Sequence, residues 1–138
     1  MKLSGQCACG NVQFEIDGEP LVQTICHCPS CQKAHAAPMI QAAIFPAEAF
    51  RVEGATRCIT VTDEPRAARR HICQACGTKV FNQPVDSVRT VFPSLCTPND
   101  WFKPEMHIYW STRVVDVVDD TPKYLDFPER FGGTGKLA

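Results

Sequence analysis

Between Gly10 and Gly18 the apolar residues Val12, Phe14 and Ile16 alternate with Gln13, Glu15 and Asp17. That period of two is what a strand buried on one face imposes. Short apolar runs recur at 21–25, 40–45, 50–52, 58–62, 69–72, 79–81, 87–92 and 107–110. Gly, Pro and charged residues break the chain between them, and runs this short at such spacing predict an all-β domain. Helical pattern is confined to a turn or two within 29–37, ahead of Pro38, and a single turn at 46–49, where proline suits the first helical position. The pattern predicts one domain over residues 1–131, a charged loop at 63–70 and a flexible tail at 132–138.

Composition narrows the picture. The chain has 138 residues, 44% of them hydrophobic and 21% charged, an ordinary globular balance that excludes disorder, collagen-like repeats and coiled coil. Eleven prolines and eight glycines reinforce the turn-rich reading. A formal charge of -1 argues against a general electrostatic grip on nucleic acid or anionic membrane, and Arg66, Arg69 and Arg70 are the only local basic concentration. No apolar stretch reaches the roughly 20 residues that span a bilayer. The N-terminal residues carry Lys2 but no apolar core of a secretory signal, so a cytoplasmic setting is expected. In that compartment, closely spaced cysteines point to metal ligands or redox thiols before disulfides.

Cysteine is the unusual count, at nine. Seven fall into three clusters: Cys7-Ala8-Cys9-Gly10, Cys26-His27-Cys28-Pro29-Ser30-Cys31 and Cys73-Gln74-Ala75-Cys76-Gly77. Zinc takes four tetrahedral ligands, and thiolates are its usual structural partners. Gly10 and Gly77, each straight after a second cysteine, permit the positive φ that turns backbone N–H groups toward sulfur. The first and third clusters read as halves of one four-cysteine site. The middle cluster then supplies three ligands, the arrangement of a zinc with one position open to substrate. Pairing Cys7 and Cys9 with two members of the middle cluster would also satisfy tetrahedral geometry. His35 follows Cys31 by four residues, which on a helical turn puts both on one face. It is a candidate fourth ligand or general base, whereas His27, between two ligand cysteines, is expected to point away. Cys58 reads as a buried strand residue and Cys96 as an accessible loop thiol. His71 and His107 read as structural.

The ordered motifs Gly5-Gln6-Cys7-Ala8-Cys9-Gly10, Cys26-His27-Cys28-Pro29-Ser30-Cys31 and Cys73-Gln74-Ala75-Cys76-Gly77 resemble the glutathione-dependent formaldehyde-activating enzyme family. The likeness continues through Lys33-Ala34, Ala37-Pro38, Thr78 and Pro104-Glu105-Met106-His107-Ile108-Tyr109, and so covers most of the chain. The resemblance implies a β-tent fold of small coiled sheets. It implies a structural zinc on Cys7, Cys9, Cys73 and Cys76, and a catalytic zinc on Cys26, Cys28 and Cys31. This chain departs from the family at Gln32, where relatives usually carry arginine, and at His35-Ala36, where they usually carry Ser-Gly.

The chemistry implied is addition of a small thiol such as glutathione to a small aldehyde, or its reverse, by a zinc-dependent carbon-sulfur lyase-like enzyme. Zinc can lower the pKa of a bound thiol or polarise a carbonyl. Three thiolates already bring negative charge, which weakens Lewis acidity and favours the thiol-binding route. Two other classes use the same residues. A zinc-stabilised protein-binding module would close the second site, and a thiol redox or zinc sensor would use the middle cluster as a reversible disulfide.

Overall fold

The computed structural model describes residues 1–60 and 68–138. The far end of the 58–62 run, most of the expected charged loop and Arg66 lie outside the described residues. In chain order the elements are β1 (Lys2–Gln6), β2 (Gln13–Asp17), β3 (Val22–Cys26), α1 (Pro29–His35), β4 (Ile40–Pro46), β5 (Phe50–Glu53), β6 (Thr56–Ile59), β7 (Arg69–Cys73), β8 (Lys79–Gln83), β9 (Val88–Val91) and β10 (Met106–Ile108). The fold is mostly β with one short α-helix, as the pattern predicts. The helical turn expected at 46–49 is a 3-10 turn over Ala47–Ala49, and Pro46 ends β4 and caps that turn rather than taking its first helical position.

The chain divides into two compact units: Met1–Val22 with Ala43–Phe102, and Gln23–Ala42 with Lys103–Ala138. In the first unit, β1, β2 and β5 make an antiparallel sheet. Phe14 and Ile16 face inward with 2% and 1% exposure, while Gln13, Glu15 and Asp17 face solvent, so the alternation sets which face of β2 is buried. The unit also holds the later half of β4, followed in sheet order by β9, β8, β7 and β6, all antiparallel. Its core gathers Val12, Phe14, Phe45, Phe50, Phe81 and Val91 around Cys7, Cys73 and Cys96. Burying a large apolar side chain contributes about 1.5–3 kcal/mol, so these aromatic and branched residues dominate the unit's stability.

β1 has no apolar alternation to announce it. Its pairing works because Gly5 has no side chain: a Cβ there would come within 2.2 Å of the Phe14 ring. Cys96 bridges to Gly5 and is 3% exposed, which corrects the expectation of an accessible thiol. Cys58 is corrected in the opposite sense. Its side chain is exposed on β6, a strand with a neighbour on only one side in the described sheet.

In the second unit, β10 runs parallel to β3, pairing Met106 with Thr24, His107 with Ile25 and Ile108 with Cys26. Parallel strands need a long connection, and here the chain makes it through distant sequence. The C-terminal residues add their own hydrogen bonds: Tyr124 N–H donates to His107 O at 3.0 Å and Trp110 N–H to Tyr124 O at 3.0 Å. Residues 132–138, expected to fray, instead turn back on the chain. Leu125 N–H donates to Lys136 O at 2.8 Å and Ala138 N–H to Lys123 O at 2.9 Å. The Asp126 carboxylate fastens that return by accepting from Thr134 N–H and Oγ1.

Candidate metal centres

Two turns of the same design lie in the first unit. Cys7 N–H donates to Val12 O at 3.0 Å and Gly10 N–H to Cys7 O at 3.1 Å. Cys73 N–H donates to Thr78 O at 2.9 Å and Gly77 N–H to Cys73 O at 2.9 Å. Gly10 and Gly77 adopt φ of 79° and 76°, the left-handed region that closes each turn. These turns bring the sulfurs of Cys7, Cys9, Cys73 and Cys76 within 4.8 Å of one another. The alternative pairing with the middle cluster is not what the chain adopts.

The donor set fits a tetrahedral ion. Thiolates about 2.3 Å from zinc stand about 3.8 Å apart in a tetrahedron. Here Cys7 Sγ is 3.5 Å from Cys9 Sγ, and Cys9 Sγ is 3.8 Å from Cys73 Sγ. No cysteine is in a disulfide. Local donors shift two of these thiols toward the thiolate. Burial opposes ionisation of Cys7, but the Val12 N–H at 3.3 Å and the neighbouring Cys9 and Cys73 outweigh it and lower its pKa. The Thr78 hydroxyl, 3.1 Å from Cys76 Sγ, together with the Thr78 backbone brings that thiol down to about 5. For Cys9, the Asn11 backbone N–H favours the thiolate, yet burial and the three neighbouring cysteines push it up to about 12. Crowded sulfurs resist joint ionisation until a cation compensates them.

The second cluster lies in the second unit, where the sulfurs of Cys26, Cys28 and Cys31 converge within 4.8 Å. Cys26 ends β3, and Cys28 caps α1, its sulfur accepting from Cys31 N–H at 3.3 Å. Pro29 at the first helical position costs no hydrogen bond there. Cys26 and Cys31 are buried and Cys28 is half-buried. The Cys28 and Cys31 thiols raise the Cys26 pKa well above its ordinary value, with burial adding to the effect. Here too the donor set suits a thiophilic cation, with three protein ligands where the other cluster has four.

His35 ends α1, but its ring nitrogens lie outside the group formed by the three sulfurs. The structure does not bring it in as a fourth ligand. His27 turns to His107, its Nε2 standing 2.8 Å from His107 Nδ1, and His107 Nε2 stands 2.9 Å from Asp119 Oδ2. Burial first, then His107 and Arg113, lower the His27 pKa to about 4. Gln32 Nε2 and Thr112 Oγ1 both donate to the His27 carbonyl, at 2.7 and 3.0 Å. Thr112 and Asp119 were not legible as parts of these sites. Only the threonine after Cys-x-x-Cys-Gly carried a local signal.

A mostly β chain with one four-cysteine and one three-cysteine cluster, each of which could hold a metal ion, defines a class of β protein with two candidate metal centres. The model of the glutathione-dependent formaldehyde-activating enzyme family matches residues 2–112, and the chain belongs to that family. No curated protein matches it. A structural-genomics crystal structure of a Rhodobacter sphaeroides protein is similar in fold, with a TM-score of 0.55 and 22% identity over 73% of this chain and 96% of that one. Among the described residues no helix is long and apolar enough to cross a membrane.

Proposed function

We propose that this protein is a zinc-dependent carbon-sulfur lyase-like enzyme that joins a small thiol such as glutathione to a small aldehyde such as formaldehyde, or cleaves the adduct. Its setting is proposed to be the cytoplasm. The observation that supports the reading is the contrast in ligand number: four converging thiols in one cluster, three in the other. A three-ligand site keeps a position for a substrate. When bound there, zinc would stabilise an incoming thiol as its thiolate near neutral pH.

The chain's own residues do the rest. Cys26 and Cys31 lie buried, which keeps water from two of the three sulfurs, while half-buried Cys28 marks the accessible side. Gln32 and Thr112 hold the His27 carbonyl, so the turn between Cys26 and Cys28 is fixed before substrate arrives. In the forward direction the thiol sulfur bonds to the carbonyl carbon, and the carbonyl π electrons pass to oxygen. The thiol proton ends on that oxygen, giving a hemithioacetal. His35, four residues after Cys31 on α1, is assigned the transfer of that proton.

Steady-state assays with glutathione, other thiols and small aldehydes test the reading. Saturable turnover is expected, lost in Cys31→Ser and reduced about 100-fold in His35→Ala. Thiol binding without turnover would overturn it in favour of a zinc-stabilised binding module.

A further inference from the structure

His27 is held at nearly every polar atom. Its N–H donates to Ile108 O at 3.0 Å, and its carbonyl accepts from Gln32 and Thr112. Nε2 faces His107 Nδ1 at 2.8 Å. His27 and His107 are both fully buried, and the edges of both rings meet Trp110, with centroids 5.1 and 5.2 Å away. Asp119 closes the row at its outer end. Besides His107 Nε2, its carboxylate takes the Lys123 ammonium at 2.7 Å, Thr121 N–H at 3.1 Å and Thr121 Oγ1 at 2.6 Å.

The row has one direction. Lys123, Thr121 and His107 hold the Asp119 carboxyl well below the usual carboxylate range, so it only accepts hydrogen bonds. His107 Nε2 therefore carries the proton that bridges to Asp119. With its single ring proton on Nε2, His107 is left with Nδ1 as an acceptor. His27 Nε2 must then be the donor across the 2.8 Å gap, and His27 Nδ1 keeps a bare lone pair. That nitrogen is the one polar atom of His27 that is buried without a hydrogen-bond partner.

We infer that Asp119 is a positioning residue which, through His107, fixes the tautomer and orientation of His27 and thereby the placement of Cys26 and Cys28. His27 shares a peptide plane with each of those cysteines, so a rotation of its backbone moves both. Partners of this kind behind ligands typically change metal affinity by about 10–100-fold when removed. The inference rests on the three-cysteine cluster being a metal centre, and it adds Asp119, 88 residues after Cys31, to what shapes that centre.

Long-range proton-nitrogen NMR of the imidazole rings tests the direction in the full-length protein. Both His27 and His107 are expected to be neutral with the proton on Nε2. A proton on Nδ1 of either ring overturns the inference, whether or not the protein turns over any substrate. Cobalt(II) competition with a chromophoric chelator then tests the consequence. In Asp119→Ala the three-cysteine centre is expected to weaken about 10–100-fold and the four-cysteine centre to stay unchanged, with Asp119→Asn, which keeps an acceptor oxygen, restoring most of the affinity. Equal weakening of both centres, or of neither, overturns positioning. A wild-type chain that takes no ion at the three cysteines sinks the metal reading, and with it the proposed function and the link from Asp119 to the centre.

Discussion

Gly77 closes the turn at Cys73 with φ of 76°, and a Cβ there would meet nothing within 4 Å. The backbone angle alone requires glycine. An L residue held in that region costs roughly 1–2 kcal/mol, so Gly77→Ala is expected to lower the unfolding free energy by about that amount in urea titrations of the zinc-loaded protein. No change would mean the turn can close another way. His27 carries a pH dependence of definite sign. Its folded pKa, near 4, lies below the unfolded value of about 6.5, so its contribution is complete above about pH 6.5 and is lost as pH falls through 4. Stability measured across that window is expected to slope downward in the wild type and to flatten in His27→Gln, and identical slopes would contradict the assignment. Single cysteines show where sequence stops. Those followed by glycine were legible because turn chemistry is local, while Cys58 and Cys96 exchanged their expected environments because burial is decided by strand partners far along the chain. Asp119 reaches His107 across twelve residues with no periodic pattern to signal it.

At the scale of elements, α1 is built from its ends. Pro29 starts it, the Cys28 sulfur caps it, and Ala36 stops it in the left-handed region at φ 48°. Alanine is a poor residue for that position, where glycine is the usual choice. Ala36→Gly is therefore expected to stabilise the protein by about 0.5–1 kcal/mol, read as a rise of about 2–4 °C in melting temperature. A fall would show that the His35-Ala36 pair is held by something stronger than helix termination. The strands with apolar alternation or short apolar runs were legible because period two survives any register. β1 was not, since its place depends on a glycine fitting against the Phe14 ring, a contact that composition does not reveal. The 107–110 run is half strand and half 3-10 turn, because Tyr109 takes φ of 54° and redirects the chain at Trp110.

For the whole molecule, the four-cysteine cluster sits among the core residues of the first unit, with Cys7 and Cys73 each 1% exposed. The three-cysteine cluster spans only β3 and the start of α1 in the second. An ion that joins distant segments contributes directly to folding. Cys73→Ser is expected to cost at least about 3 kcal/mol and to leave much of the protein insoluble or molten, whereas Cys28→Ser keeps the fold and loses thiol binding. Circular dichroism melts of both variants check this, and a Cys28→Ser protein that fails to fold would contradict the division of labour. Zinc stoichiometry by elemental analysis bears most directly on the central claim, made on protein purified without chelator and repeated after mild chelation with and without glutathione. The account predicts two ions per chain, one of them labile and retained when the thiol is present. Two equally tight ions indifferent to thiol would contradict an open centre on Cys26, Cys28 and Cys31.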